Sequence, residues 1–184
     1  MARLGNRTAA AVLGVFRAFT RGTVSTDELG QLAAAEIVRG MGSGRVLALQ
    51  DYAAASYAAL GTAPTAALGA TASVGKSLGE HDRLAAAAVD IVSEPVETAS
   101  GAADMRLERM TRSEVYGATQ DQRTDTLAAD QRATGWVRGM NADACQLCQW
   151  WSRDGRVWPS SHVMPTHTGC SCWQIPQFKG ETEL

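Results

Sequence analysis

Apolar positions recur at helical rather than alternating spacing along most of this chain. Thr8, Val12, Phe16 and Phe19 lie three or four residues apart and predict a helix over residues 8–20, closed by Gly22. Ser25-x-x-Glu28 is a capping box that opens a second helix, with Leu29, Ala33, Ile37 and Met41 on one face. Gly42-Ser43-Gly44 predicts a break, after which Val46, Leu49, Ala53 and Leu60 align as a third helix. Residues 61–79 place Gly61, Pro64, Gly69, Gly75 and Gly79 among small residues and read as a loop or linker. A fourth helix is expected from His81 to Ser93 through Leu84, Ala88 and Ile91, stopped by Pro95. From Val96 to Thr134 the pattern supports one long helix, or two with a break near Gly117. The expected organisation is therefore a helical region over 1–95, then a long helix and a small terminal module over 96–184.

Six acids and six arginines fall between Asp104 and Arg138, yet only Glu108 and Arg112 are spaced for pairing on one helix. Most of these residues fit a solvated face. Glu114 differs, because it lines up with Ala103, Leu107, Met110 and Ala118 on the apolar stripe. A carboxylate buried there needs a partner, an arginine from another element or a donor in the terminal module. Stripe edges are wide, and an exposed Glu114 at the edge is the alternative.

Composition agrees with helix: alanine is abundant, valine and isoleucine are scarce beside it, and aromatics make up 6%. A net charge of −2 argues against a chain-wide nucleic-acid footprint. The exception is the first 25 residues, where Arg3, Arg7, Arg17 and Arg21 occur with no acid before Asp27. Such a segment suits a solvated helix face, or contact with phosphate or an acidic surface. No apolar stretch approaches the roughly 20 residues that cross a bilayer, and the short run Ala9 to Phe16, closed by Arg17, lacks the marks of a signal peptide. No membrane association is expected.

The concentrated chemistry is C-terminal. All four cysteines stand as Cys145-x2-Cys148, then, after eighteen residues, His167-x2-Cys170-x-Cys172. A Cys-x2-Cys pair followed at loop distance by a second Cys/His cluster has the spacing of a tetrahedral metal site, and zinc is the ion such ligands suit. Five candidates compete for four positions, with His162 a less favoured sixth. If residues 170–172 are extended, Cys170 and Cys172 face one side and both can ligate, leaving His167 spare or substituting for one of them. The intervening Asp154-Gly155, Pro159, Pro165 and Val157-Trp158 predict a small hairpin between two ligand-bearing turns, a zinc-ribbon-like knuckle. Trp150, Trp151, Trp158 and Trp173, with Trp136 just before, would enlarge so small a core or pack it on the helices. Disulfides, buried free thiols and a redox pair remain the alternatives. The first needs an oxidising compartment that nothing signals, and the last a βαβ context that is lacking. The fold class expected is mainly α, ending in this β-hairpin knuckle.

Other constellations fail. Gly75-Lys76-Ser77 ends like a phosphate loop, but Ala70 stands where the first glycine is required and no apolar strand precedes it. His81 has no nucleophile context. No catalytic residues, no cofactor pocket and no small-molecule substrate are expected.

Taken in order, the C-terminal motifs resemble one family. Arg112-Ser113-Glu114 resembles the Arg-Thr-Glu motif of the phage Mu F-like minor head proteins. Gly135-Trp136-Val137-Arg138 follows as the family's aromatic-containing strand, then Asp143-Ala144-Cys145-Gln146-Leu147-Cys148, the turn Asp154-Gly155-Arg156-Val157, and His167-Thr168-Gly169-Cys170-Ser171-Cys172. The family's usual ending is His-Pro-x-Cys-Arg-Cys; Thr168 and Ser171 replace the proline and arginine. The match covers residues 105–176. It implies a non-enzymatic structural protein of a tailed-phage head, acting in head morphogenesis with the portal or major capsid protein. It also implies location in the virion, and in the host cytoplasm during assembly. Packaged DNA is a further possible contact of the arginine-rich N-terminus. Some members carry toxin or enzyme domains downstream; twelve residues follow Cys172 here, too few for one. The rival class is a zinc-ribbon nucleic-acid-binding or regulatory protein, although Arg153 and Arg156 are the only cations between Ala144 and Ile175. A metalloenzyme is the third, with Asp143 and Asp154 its only nearby acids.

Overall fold

A computed structural model describes residues 2–62, 64, 77–94, 102–142 and 144–179. The boundary expected at residue 95, Gly75-Lys76 and most of the 61–79 segment lie outside them. The elements are α1 (Ala2–Thr20), α2 (Thr26–Leu60), α3 (Ser77–Ser93), α4 (Ala103–Ala129), β1 (Ala133–Gly139), α5 (Gln146–Ser152), a 3-10 turn (Arg153–Gly155), β2 (Trp158–Pro159) and β3 (Trp173–Phe178). The chain is mainly helical with a small three-stranded antiparallel sheet near its C-terminus.

Local chemistry explains the helix ends. α1 starts at Ala2 rather than Thr8, because buried Leu4 extends the Thr8–Val12 stripe by one turn. Thr8 tolerates burial by donating its hydroxyl to the Leu4 carbonyl at 3.1 Å. Gly22 (φ 72°) closes the helix: its N–H bonds Phe19 O and the Thr23 N–H bonds Ala18 O, a Schellman pattern. The capping box before α2 forms as expected, with Glu28 accepting from the Ser25 N–H at 2.8 Å and the Glu28 N–H donating to Ser25 Oγ at 3.3 Å.

The expected break at Gly42-Ser43-Gly44 does not occur; α2 runs through it. Its buried face is continuous through Leu29, Ala33, Ile37, Met41, Gly44, Ala48, Tyr52 and Ser56, and leaves Val46 exposed. Each glycine weakens a helix by about 1 kcal/mol relative to alanine, less than the burial on either side contributes. At Gly40 the small residue is required, since a Cβ would sit 2.6 Å from Thr8 Oγ1. α3 begins four residues earlier than the expected His81, and α4 passes Gly117 unbroken.

Two compact units emerge: Met1–Gly44 with Ser73–Tyr116, and Arg45–Ala72 with Gly117–Leu184. In the first, Leu4, Val12, Leu29, Ile37, Leu84, Leu107 and Val115 are buried. The stripe of α4 there runs through Leu107, Thr111 and Val115, so Glu114 stands at its edge. Thr111 is fully buried because its hydroxyl bonds the Leu107 carbonyl at 2.7 Å. Glu114 meets Arg83 of α3 in a two-pronged pair at 2.9 and 2.7 Å. The expected arginine partner exists, but it ties α4 to α3 and not to the terminal module.

In the second unit Tyr52, Leu127, Ala133, Trp136, Met164 and Phe178 form a core with Cys148, Cys170 and Cys172. Arg123 of α4 pairs with Asp51 of α2, and Arg132 bridges Asp130 to Ser56 at 3.0 Å. The sheet order is β2-β1-β3, with Trp136 opposite Trp158 on one side and Pro176 on the other. Gly135 is obligatory, as a Cβ would meet the Trp158 carbonyl. The expected β element is present, with its strands drawn from a wider span than 149–166. The segment after Cys148 is helical, and Trp158 pairs back to β1.

Candidate metal centre

The two cysteines of the first pair sit on the opening turn of α5. Cys145 is its N-cap in an extended conformation (φ −65°, ψ 159°), and Cys148 is the third helical residue. N-cap and third-residue side chains face each other across a helix start, the relation a capping box exploits. Here two sulfurs occupy those places. The Cys148 backbone N–H holds the Cys145 thiol below its usual range, whereas burial pushes the Cys148 thiol up. The helix ends at Arg153, and Arg153, Asp154 and Gly155 all take positive φ, so the expected Asp154-Gly155 turn is a left-handed reversal.

The second cluster lies on a tight turn. The Cys170 N–H bonds the His167 carbonyl at 2.9 Å, and Gly169 between them takes φ 77°, which favours glycine. His167 Nδ1 lies 3.0 Å from the Thr168 carbonyl. A carbonyl only accepts, so the ring proton is on Nδ1 and Nε2 carries the free lone pair. That lone pair faces Cys148 Sγ at 3.1 Å and Cys145 Sγ at 3.3 Å, while Cys148 Sγ lies 3.6 Å from Cys170 Sγ. A tetrahedral ion with bonds of 2.0–2.3 Å separates its ligand atoms by roughly 3.3–3.8 Å. The observed spacings are close to those edges.

Among the described residues these donors form two overlapping groups, Cys145–Cys148–His167 and Cys148–Cys170–Cys172, each with ligand atoms within 4.8 Å of one another. Both are possible metal-binding sites, and Cys148 belongs to both. All four cysteines are free thiols. The donor set fits a soft or borderline cation, since neither group contains a carboxylate. All five candidates from the sequence are thus brought together. His162 is elsewhere: its ring stacks on Trp158 at 4.5 Å and 12°, and its carbonyl accepts from Trp136 Nε1 at 2.9 Å.

Several supporting residues were not legible in the sequence. Gln120 of α4 donates to the Cys172 carbonyl, and Asn141 donates to Ser171 Oγ at 2.8 Å. Trp151 lies 6.1 Å from the His167 ring and carries the Arg138 guanidinium 5.4 Å from its centre. Only the clustering of tryptophans hinted at this lining. Comparison with protein-family models, with curated proteins and with solved structures found no match. No helix among the described residues is long and apolar enough to cross a membrane.

Proposed function

We propose that this chain is a structural minor head protein of a tailed bacteriophage, of the Mu F-like type, and that its C-terminal module is held by one structural zinc ion. The observation that carries this reading is the convergence of Cys145, Cys148, His167, Cys170 and Cys172 beside a small sheet, in the motif order that the resemblance rests on. Zinc suits the donors because it accepts mixed thiolate and imidazole ligands without a redox requirement. A full complement of protein donors leaves no need for a water ligand, which favours a closed, structural site over a hydrolytic one. Under this reading the helices engage the portal or the major capsid protein, and the protein turns over no substrate.

Contact of α1 with packaged DNA fits the same reading. Arg3, Arg7, Arg17 and Arg21 are all exposed and, with Ala10 and Gly14 between them, fall on one face at three- and four-residue spacing. The deciding experiment is isolation of the protein with assembling heads. Co-purification with the portal or capsid protein, and non-infectious heads when its gene is deleted, are the expected results. Normal infectious particles lacking the protein entirely would refute the assignment.

One observation favours a second reading, a zinc-ribbon regulator that binds nucleic acid. Trp150 is 59% exposed with Arg153 lying 4.6 Å from its ring centre. Exposed aromatic–arginine pairs are platforms for unstacked bases. Sequence-specific DNA binding without affinity for head proteins would decide for it.

A further inference from the structure

Arg138 is a buried cation with two unpartnered side-chain nitrogens. It sits on β1, the central strand, and is 5% exposed. Its Nη2 donates to the Pro165 carbonyl, while Nε and Nη1 are buried with no hydrogen-bond partner. Among the described residues no carboxylate pairs with it. Arginine does not escape burial by losing its proton, so an uncompensated guanidinium is costly in a core.

The elements that carry the candidate donors flank it. Arg138 pairs in register with Gln174, two residues beyond Cys172. It stacks on Trp151, whose other neighbour is the His167 ring. As free thiols the cysteines offer this cation no charge. A divalent ion bound by three thiolates and a neutral imidazole carries −1, and one bound by four thiolates carries −2.

We propose that Arg138 is the built-in counter-ion of the metal-loaded centre, a buried cation that favours the thiolate-rich, net-anionic form over the empty one. The inference rests on the metal reading above and adds a role for a residue that ligates nothing. With three thiolates and His167 bound, Arg138 makes the buried centre neutral overall. An oxidised, disulfide-linked centre would leave it uncompensated.

The role predicts opposite signs in the two states. Arg138→Met removes a buried charge at similar volume, so the metal-free protein is as stable as wild type or more so. The same change weakens metal binding by about 10- to 100-fold, the usual effect of losing an outer partner of a metal ligand. Arg138→Lys keeps the charge but not the planar fork, and falls between. The test uses the full reduced chain, with Zn²⁺ affinity measured by chelator competition and unfolding followed with and without Zn²⁺. Equal Zn²⁺ affinity in wild type and Arg138→Met overturns the counter-ion role while leaving the metal site standing. A metal-free Arg138→Met that is destabilised as much as the loaded form, with Arg138→Lys behaving alike, shows a packing role and also overturns it. Wild-type protein that takes up no Zn²⁺ refutes the metal reading itself, and this inference with it.

Discussion

Cys148 is the position at which the candidate metal centre is most vulnerable. Its sulfur belongs to both donor groups, so every four-ligand set drawn from these five residues and built on the overlap uses it. Structural zinc sites contribute about 10–16 kcal/mol of apparent binding free energy. Shared among four ligands, that is roughly 2.5–4 kcal/mol each, or on the order of 100- to 1,000-fold in affinity. Cys148→Ser should lose at least this much, because the residue is 2% exposed and a poorly ligating hydroxyl replaces its sulfur inside the core. Cys145→Ser should fall within the same range but retain a folded module, since Cys145 is exposed and joins only one group. Among His167, Cys170 and Cys172, one single substitution should leave affinity near wild type, and that residue is the spare donor. Chelator competition on reduced protein measures all five variants, and native mass spectrometry counts the bound metal. Wild-type affinity in Cys148→Ser would refute the shared-ligand geometry. Wild type that binds no metal when reduced, and is isolated from cytosolic expression with two intact disulfides, would refute the site.

Affinity should also rise with pH. Burial holds the Cys148 and Cys172 thiols above the ordinary thiol range, so at neutral pH both keep protons that the metal must displace. Protons therefore compete with metal, and each one released makes binding about tenfold tighter per pH unit; a dissociation constant flat between pH 6 and 8 would contradict this. Glu114→Ala should cost no more than about 1 kcal/mol, similar to Glu108→Ala, because the Arg83 side chain that pairs with Glu114 is 53% exposed and solvent screens the pair. Urea unfolding distinguishes that from the roughly 3–5 kcal/mol expected of a buried pair. Trp136→Ala should destabilise by about 3–5 kcal/mol, since the indole is fully buried and its N–H is committed to the His162 carbonyl. A loss below 1 kcal/mol by the same assay would show that the β1–β2 packing is not what holds the sheet.

What could be read from sequence follows from how local the cause is. The capping box at Ser25 and Glu28 and the spacing of Cys145, Cys148, His167, Cys170 and Cys172 are short-range constraints; the first forms, and the second yields two groups that could hold a metal. The same locality misled at Gly42-Ser43-Gly44, where a weak propensity penalty was set against a buried stripe extending several turns each way. Thr111 shows a second limit. Counted as polar it shifts the apparent stripe of α4 onto Glu114, but bonding its hydroxyl to Leu107 makes it a core residue and moves the stripe away. β1 shows a third. A central strand in so small a sheet is covered on both faces, so Gly135, Trp136, Arg138 and Gly139 are buried without the alternation that would announce it. Whether the charge at Arg138 faces water depends on a helix turn and a loop more than ten residues downstream, Trp151 and Pro165. Such a residue is found by its unpaired nitrogens in the folded chain, because the partner it lacks is created only by binding.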